Sequence, residues 1–509
     1  MVGSGAAVEA TESGVFRVGR RRRIISSPSH VSIKAIDLTF ILSIVFIAFN
    51  ATLSLSFLGE VGTEPYVLFN LFVAPFTVLS LIYRGLLRKS PQLFWFAAIF
   101  FLVVMLSIGA NLSYVISNQW RDRSGLGRVF TTTLVPIFGF YFAYLTETYA
   151  RADVYRLVAV PLLLSAILVV AFGDIELLSW ASDGFYNSFI GFWTVLHNAL
   201  DHVSKSERIQ SVTTEASNFG MYAIFIMPFL WVFCGYSKTI VGRIVSAFLI
   251  VDIFGLSLLS GRTSFFGVII INLIFFYIVL LIKAAARGSG YLRITVLAAF
   301  LVTSFLPVLL IANYKNEIAM LIVASSNGEV SNLSRFGTMA IQTDIFIENP
   351  IFGVGMGQYP FYVPSHMFSW ADTWEFKRWI SSPKASFFPS FSIYTRVAAE
   401  LGIFGYVVWV AFSYYFLKMA LKAAVDFKRS SGQTPLVGIA IICGFFGMQL
   451  MGWNIASYKV PYIWAVFGLA AAYWKAPRVL EYLPTASARV QRLKRNSTVG
   501  PRIRDVPNL

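Results

Sequence analysis

The chain has 509 residues, 57% hydrophobic and 13% charged, with 48 Phe, 12 Trp and a formal net charge of +16. That charged share is about half the ~25% usual for soluble proteins, and a mean hydropathy of +0.69 excludes both a soluble globule and a disordered chain. Cys234 and Cys443 both sit in apolar runs, which excludes a disulfide scaffold.

In chain order, residues 1–35 read as a basic tail carrying the GRRRR run Gly19–Arg23, without the pattern of a cleavable signal. Residues 36–474 read as an all-α polytopic membrane domain, and 475–509 as a second basic tail containing Arg489–Arg495. Cations in these tails match anionic headgroups on the cytoplasmic side rather than nucleic acid. Apolar runs long enough to cross ~30 Å of hydrocarbon lie near 36–58, 66–83, 92–116, 129–146, 157–173, 219–236, 243–260, 263–282, 292–312, 397–417, 435–456 and 460–474. The expectation is therefore about 12 transmembrane helices, each ~20 residues long. Only SGRTS, Ser260–Ser264, divides the seventh run from the eighth. An even count puts both termini on one side. With that side cytoplasmic, about two thirds of the 41 Lys and Arg fall inside and about two thirds of the 25 Asp and Glu outside, as the cation bias of loops requires.

This topology leaves two long outer loops, about 174–218 and 313–396. In the first, Phe189, Ile190, Trp193, Leu196, Leu200 and Val203 recur at helical spacing, as on an interfacial amphipathic helix. In the second, Ser334 is placed to cap a helix from Arg335 to Glu348 that Asn349-Pro350 stops. No internal repeat is visible, which counts against many transporter architectures.

Several outer residues are candidates for chemistry. Arginine offers a planar fork of donors suited to phosphate oxygens, and Arg121, Arg123, Arg128, Arg262, Arg335 and Arg396 all fall on the outer face. Arg262 occupies a short turn at the membrane edge, where a lipid phosphate would lie; snorkelling or pairing with a carboxylate is the other reading. Glu215 in TTEASNFG and Glu400 at the head of a late span either handle a proton or an arginine, or simply complement a helix dipole. Gly353, Gly355 and Gly357 alternate in ENPIFGVGMGQYP. No strand precedes them, so they either bring backbone N–H groups to an anion or make a tight loop. Trp370 and Trp374 lead an aromatic stretch fit for sugar faces or an interfacial belt. The four histidines, His30, His197, His202 and His366, show no metal-ligand spacing, and Asp252 is the one carboxylate deep in a span. Neither a metal nor a cofactor is expected.

Four stretches together resemble the O-antigen polymerase/O-antigen ligase superfamily of membrane glycosyltransferases. They are TTEASNFG (Thr213–Gly220), LSLLSGRTSFFGVII (Leu256–Ile270), SNLSRFGTMAIQTDIFIENPIFGVGMGQY (Ser331–Tyr359) and RVAAELGIFGYVVWV (Arg396–Val410). The resemblance implies a GT-C-like helical fold in the bacterial inner membrane. It also implies a donor saccharide carried on undecaprenyl diphosphate, and a chain-length regulator or flippase as partner. An acceptor hydroxyl attacks the anomeric carbon and the lipid diphosphate leaves. Arg262 and Arg335 would receive its charge, and Glu215 or Glu400 would orient or deprotonate the acceptor. Arg396, Arg128, the three glycines, Trp370, Trp374 and His366 would bind substrate. Ligases of this superfamily carry His-Asn shortly before the late-span Glu, where this chain has Phe391-Ser392. Polymerisation is thus favoured over ligation, unless His366 substitutes. A multi-span transporter or flippase is the rival from another class.

Overall fold

The computed structural model describes residues 35–50, 58, 62–71, 74–75, 90–121, 123–180, 182–196, 208–237, 239–287, 291–325, 330–381, 388–453 and 458–481. The basic runs Gly19–Arg23 and Arg489–Arg495, with His30, His197, Leu200, His202 and Val203, lie outside them. The helices are α1 (Ala35–Val45), α2 (Pro65–Leu71), α3 (Pro91–Ala110), α4 (Leu112–Ser117), α5 (Gly125–Val154), α6 (Val160–Ser179), α7 (Asp183–Leu196), α8 (Ala216–Tyr236) and α9 (Ile240–Ser260). They continue as α10 (Arg262–Ala286), α11 (Tyr291–Ser325), α12 (Val330–Glu348), α13 (Trp374–Ser381), α14 (Ile393–Ser431), α15 (Leu436–Gly452), α16 (Pro461–Lys475) and α17 (Pro477–Glu481). The strands among the described residues form one small antiparallel pair, Gln119–Trp120 with Arg123–Ser124. The protein is an all-helical membrane protein: among the described residues, 7 helices are long and apolar enough to cross a bilayer.

Helix ends follow local chemistry. Proline opens α3 and α16, where its missing N–H costs nothing. The hydroxyls of Ser124, Thr239 and Ser392 accept the N–H of Gly127, Gly242 and Thr395, and left-handed Gly432 ends α14. Gly261, at φ +152°, makes the corner that separates α9 from α10. Several boundaries differ from the sequence expectation. The runs at 129–146 and 157–173 fall on two helices, α5 and α6, each longer than its run; they meet at a kink at Asp153 followed by a π-turn at Tyr155–Ala159. The first two runs are helical over Ala35–Val45 and Pro65–Leu71 at their described starts. α11 extends to Ser325 across a break at Tyr314. Ser334 is not a cap, because α12 begins at Val330; its hydroxyl instead shares a 2.7 Å hydrogen bond with Thr373. The first long loop does contain a helix, α7, whose Phe189 and Trp193 are buried.

Aromatic packing holds the centre. Phe96 of α3 stacks on Phe412 at 4.5 Å and meets Phe140 and Phe467 edge-on. α5 and α16 touch closely because a Cβ at Gly139 would lie 2.0 Å from the Trp464 ring. Offset and edge-on aromatic pairs each add ~0.5–1.5 kcal/mol beyond burial. Outward faces carry exposed Trp95, Met105, Val251 and Leu273, as a lipid-facing surface requires.

Two fastenings position the two ends. At one end, α14 breaks at Gly402 (φ +64°, ψ −162°), and the loop from Pro350 to Gly355 docks into the break. Val354 N–H donates to Ala399 O, Gly355 N–H to Glu400 O, and Ile403 N–H to Pro350 O, all at 2.8–2.9 Å. At the other end, buried Glu481 accepts the N–H groups of Val437 and Gly438 at 3.2 and 2.9 Å. It also accepts the hydroxyls of Tyr473, at 2.7 Å, and of Tyr236. Burial raises the Glu481 carboxyl above its ordinary range, although all four donors oppose that shift.

Candidate active site

The site is built where α8 begins. Glu215 precedes the helix in extended backbone (φ −147°, ψ 148°), and its carboxylate accepts the Ser217 hydroxyl at 3.0 Å. Asn50, just beyond α1, clamps the neighbouring residue: its Oδ1 accepts Thr214 N–H at 2.9 Å and its Nδ2 donates to Thr214 Oγ1 at 3.1 Å. The corner between α9 and α10 is tied to the same turn, since Ser260 Oγ donates to Ala216 O at 2.8 Å. Gly220 lets the two helices approach there, because a Cβ would lie 2.1 Å from Ser264 Oγ. Glu215 and the backbone of Arg262, the first residue of α10, therefore belong to one corner.

Against this corner lies a cavity of about 240 Å³. Arg335 of α12 reaches it from one side, its guanidinium 5.4 Å from the centre of the Phe391 ring. Lys459, just before α16, and Glu64, just before α2, line it too; their charged groups are 3.1 Å apart. The described wall thus carries two cations, Arg335 and Lys459, and two carboxylates, Glu64 and Glu215, with Thr214 and Asn218 between them. A second cavity of about 330 Å³ shares Ser217 and Met221 with the first. It runs between α8, α10 and α15 past Thr263, Ser264, Phe266, Gly267 and Ile270. Its lining is mostly apolar, and Phe266, 58% exposed, stands on the lipid-facing surface. A charged pocket therefore adjoins an apolar lateral groove across Ser217 and Met221. Such an arrangement can hold an anion attached to a hydrocarbon chain.

The other candidates from the sequence fall elsewhere. Glu400 is fully buried and its Oε1 accepts Arg396 Nε at 3.2 Å, with that guanidinium lying between the rings of Tyr359 and Tyr458. Neither residue lines the two cavities. Gly353, Gly355 and Gly357 all have positive φ. The N–H of Gly353 donates to Asn349 O and that of Gly355 to Glu400 O, while Gly357 packs where a Cβ would meet Thr132 Oγ1 at 2.7 Å. These glycines form the tight loop beside α14. Arg128 sits with Arg121 and Arg123 by the strand pair; burial, then Arg128, then Arg121 lower the Arg123 guanidinium below its usual value. Arg121 donates to Ile380 O at 2.6 Å at the end of α13. Trp370 stacks on Phe368 and donates to Asn316 Oδ1 at 3.0 Å, and Trp374 is 57% exposed. His366 Nε2 lies 2.9 Å from Glu348 Oε2. Asp252 lies beside Asp174 of α6.

No known protein-family model matches the chain, and no curated protein matches it. Lys459 and Glu64 are the cavity residues that sequence reasoning missed. Lys459 sits, like Arg262, as a single cation in the short segment before an apolar helix, and that position is the signal that was available.

Proposed function

We propose that the chain is a polysaccharide polymerase of the bacterial inner membrane. It joins undecaprenyl-diphosphate-linked repeat units on the outer side, with both termini in the cytoplasm. The observation that supports this reading is the adjacency of the charged cavity holding Arg335, Lys459 and Glu215 to the apolar groove that passes Thr263 and Ser264. The diphosphate would occupy the cavity and the first isoprene units the groove. As the glycosidic oxygen leaves with the diphosphate, negative charge grows on it, and fixed guanidinium donors stabilise that growth without reorganising. Arg335 is assigned this role, and Arg262, whose backbone opens α10 at the adjoining corner, is proposed to share it. Glu215 is the cavity carboxylate best exposed to an incoming hydroxyl, and it would accept the proton as the new bond to the anomeric carbon forms. Glu400, paired with buried Arg396, is read as holding the late helix and its docked loop in place. The outer aromatic and arginine residues, including Arg128, Trp370, Trp374 and His366, would face the saccharide.

Purified protein in liposomes, given undecaprenyl-diphosphate-linked repeat units and no gradient, should lengthen them. Arg335→Ala should slow elongation by ~10²–10³. A flippase would leave the units single, and unaltered elongation by Arg335→Ala would remove that residue from the site. The ligase alternative has less support, because Phe391 lines the cavity under Arg335 where a ligase carries histidine.

A further inference from the structure

The contact between Glu64 and Lys459 has a feature that a purely structural ion pair does not need. The carboxylate is almost wholly enclosed, its side chain 4% exposed, while the ammonium side chain is 32% exposed, and both line the charged cavity. The backbones on either side are held. Glu64 O accepts the N–H groups of Val67 and Leu68, and Tyr458 O accepts Trp464 Nε1 at 2.6 Å immediately before Lys459. Val460 then leads into the proline that opens α16. What is left to move is the Lys459 side chain. An ammonium on a four-carbon stem keeps three donors in any direction and can change partner without a fixed geometry, which a guanidinium fork cannot do as readily.

The charges of the lining make such a change useful. With Lys459 on Glu64, and Arg335 and Glu215 sharing the same wall, the positive and negative groups of the described lining balance. A diphosphate bearing two or more negative charges gains Lys459 beside Arg335 when the ammonium turns from Glu64 towards it. After transfer, the spent lipid diphosphate must leave, and Glu64 then competes for the same ammonium and weakens its hold. We infer that Lys459 is a second diphosphate-binding cation, held by Glu64 when the cavity is empty and released to the diphosphate when it fills. The inference rests on the diphosphate reading above and extends it to a residue and a partner exchange not visible in the sequence. Lys459 is the binding group; Glu64 is a positioning residue that acts through it.

The test is equilibrium binding of farnesyl diphosphate to the full-length protein in nanodiscs, with elongation measured on the same preparations. Lys459→Met should weaken binding by about tenfold or more, the size of one charge-assisted contact. Glu64→Gln should do the opposite and tighten binding, because the carboxylate no longer competes for the ammonium. Such a gain cannot come from a damaged fold. In the double variant Glu64→Gln/Lys459→Met the gain should vanish, and Lys459→Arg should retain most of the wild-type affinity. For Glu64→Gln, tighter product binding should lower KM and kcat together. Weakened binding by Glu64→Gln, or unchanged affinity in Lys459→Met, overturns the inference. Failure of the polymerase reading looks different: binding follows the expected pattern, but repeat units are never joined.

Discussion

Removing one member of the Arg396–Glu400 pair separates a structural role from a catalytic one. Both side chains are enclosed, at 3% and 0% exposure, and lie 3.2 Å apart one helical turn from each other. Losing one partner of a buried pair costs about 3–5 kcal/mol, because the remaining charge stays out of water. The two single losses should differ. Glu400→Met leaves the guanidinium between the rings of Tyr359 and Tyr458, at 5.7 and 5.6 Å, and cation–π attraction of about 0.5–2 kcal/mol survives. Arg396→Met loses that attraction as well, so it should be the more damaging change by about that amount. The double variant Arg396→Met/Glu400→Met exchanges the pair for apolar side chains and should recover most of the stability, since such replacements are often neutral. Denaturant unfolding in detergent, analysed as a double-mutant cycle, measures all four states. Additive losses in the double variant would refute the pairing argument. Glu400→Gln that unfolds like the wild type yet elongates nothing would show instead that Glu400 acts on substrate.

Further outcomes follow from particular contacts. Gly402→Ala should destabilise strongly: its backbone angles are nearly restricted to glycine, a strain of about 1–3 kcal/mol, and the new Cβ would lie 2.2 Å from Ile351 O. Limited proteolysis of the loop from Pro350 to Gly355 should accelerate, and unchanged resistance would contradict the docking role. Glu481→Ala should lower the unfolding midpoint through loss of four accepted hydrogen bonds, by about 2–4 kcal/mol at roughly 1 kcal/mol each; Glu481→Gln should lower it less. A chelator should leave elongation intact, because a diphosphate already leaves readily when arginines receive its charge. A strict divalent-ion requirement would count against that mechanism.

The membrane class was legible because composition alone forces it, and most spans were legible because apolar length decides them. The corner at Gly261 was expected from five residues, and the structure separates the two helices there. The polar residues around Arg151 and Arg156 do mark a boundary, since the backbone breaks at Asp153; what was not legible is how short it is, a kink and a π-turn rather than a loop. Ser334 misled for a different reason. A serine before an amphipathic stretch is a good cap by local chemistry, but packing against Thr373 let the helix start earlier. For the site, Glu215 and Arg335 were legible as outer charges near helix ends. Lys459 and Glu64 were not, because their meeting joins segments near opposite ends of the chain, and no local pattern encodes such a closure.

The Glu481 clasp bears on how the molecule can breathe. Tyr236, at the last turn of α8, is bound to Glu481, while Ser217 and Met221, in that helix's first two turns, border both cavities. Midway, Pro228 omits a rung of the helical ladder. With its foot on Glu481 and its head tied through Thr214 and Ala216 to Asn50 and Ser260, the rod has slack only at its waist, where the missing rung leaves it able to bend.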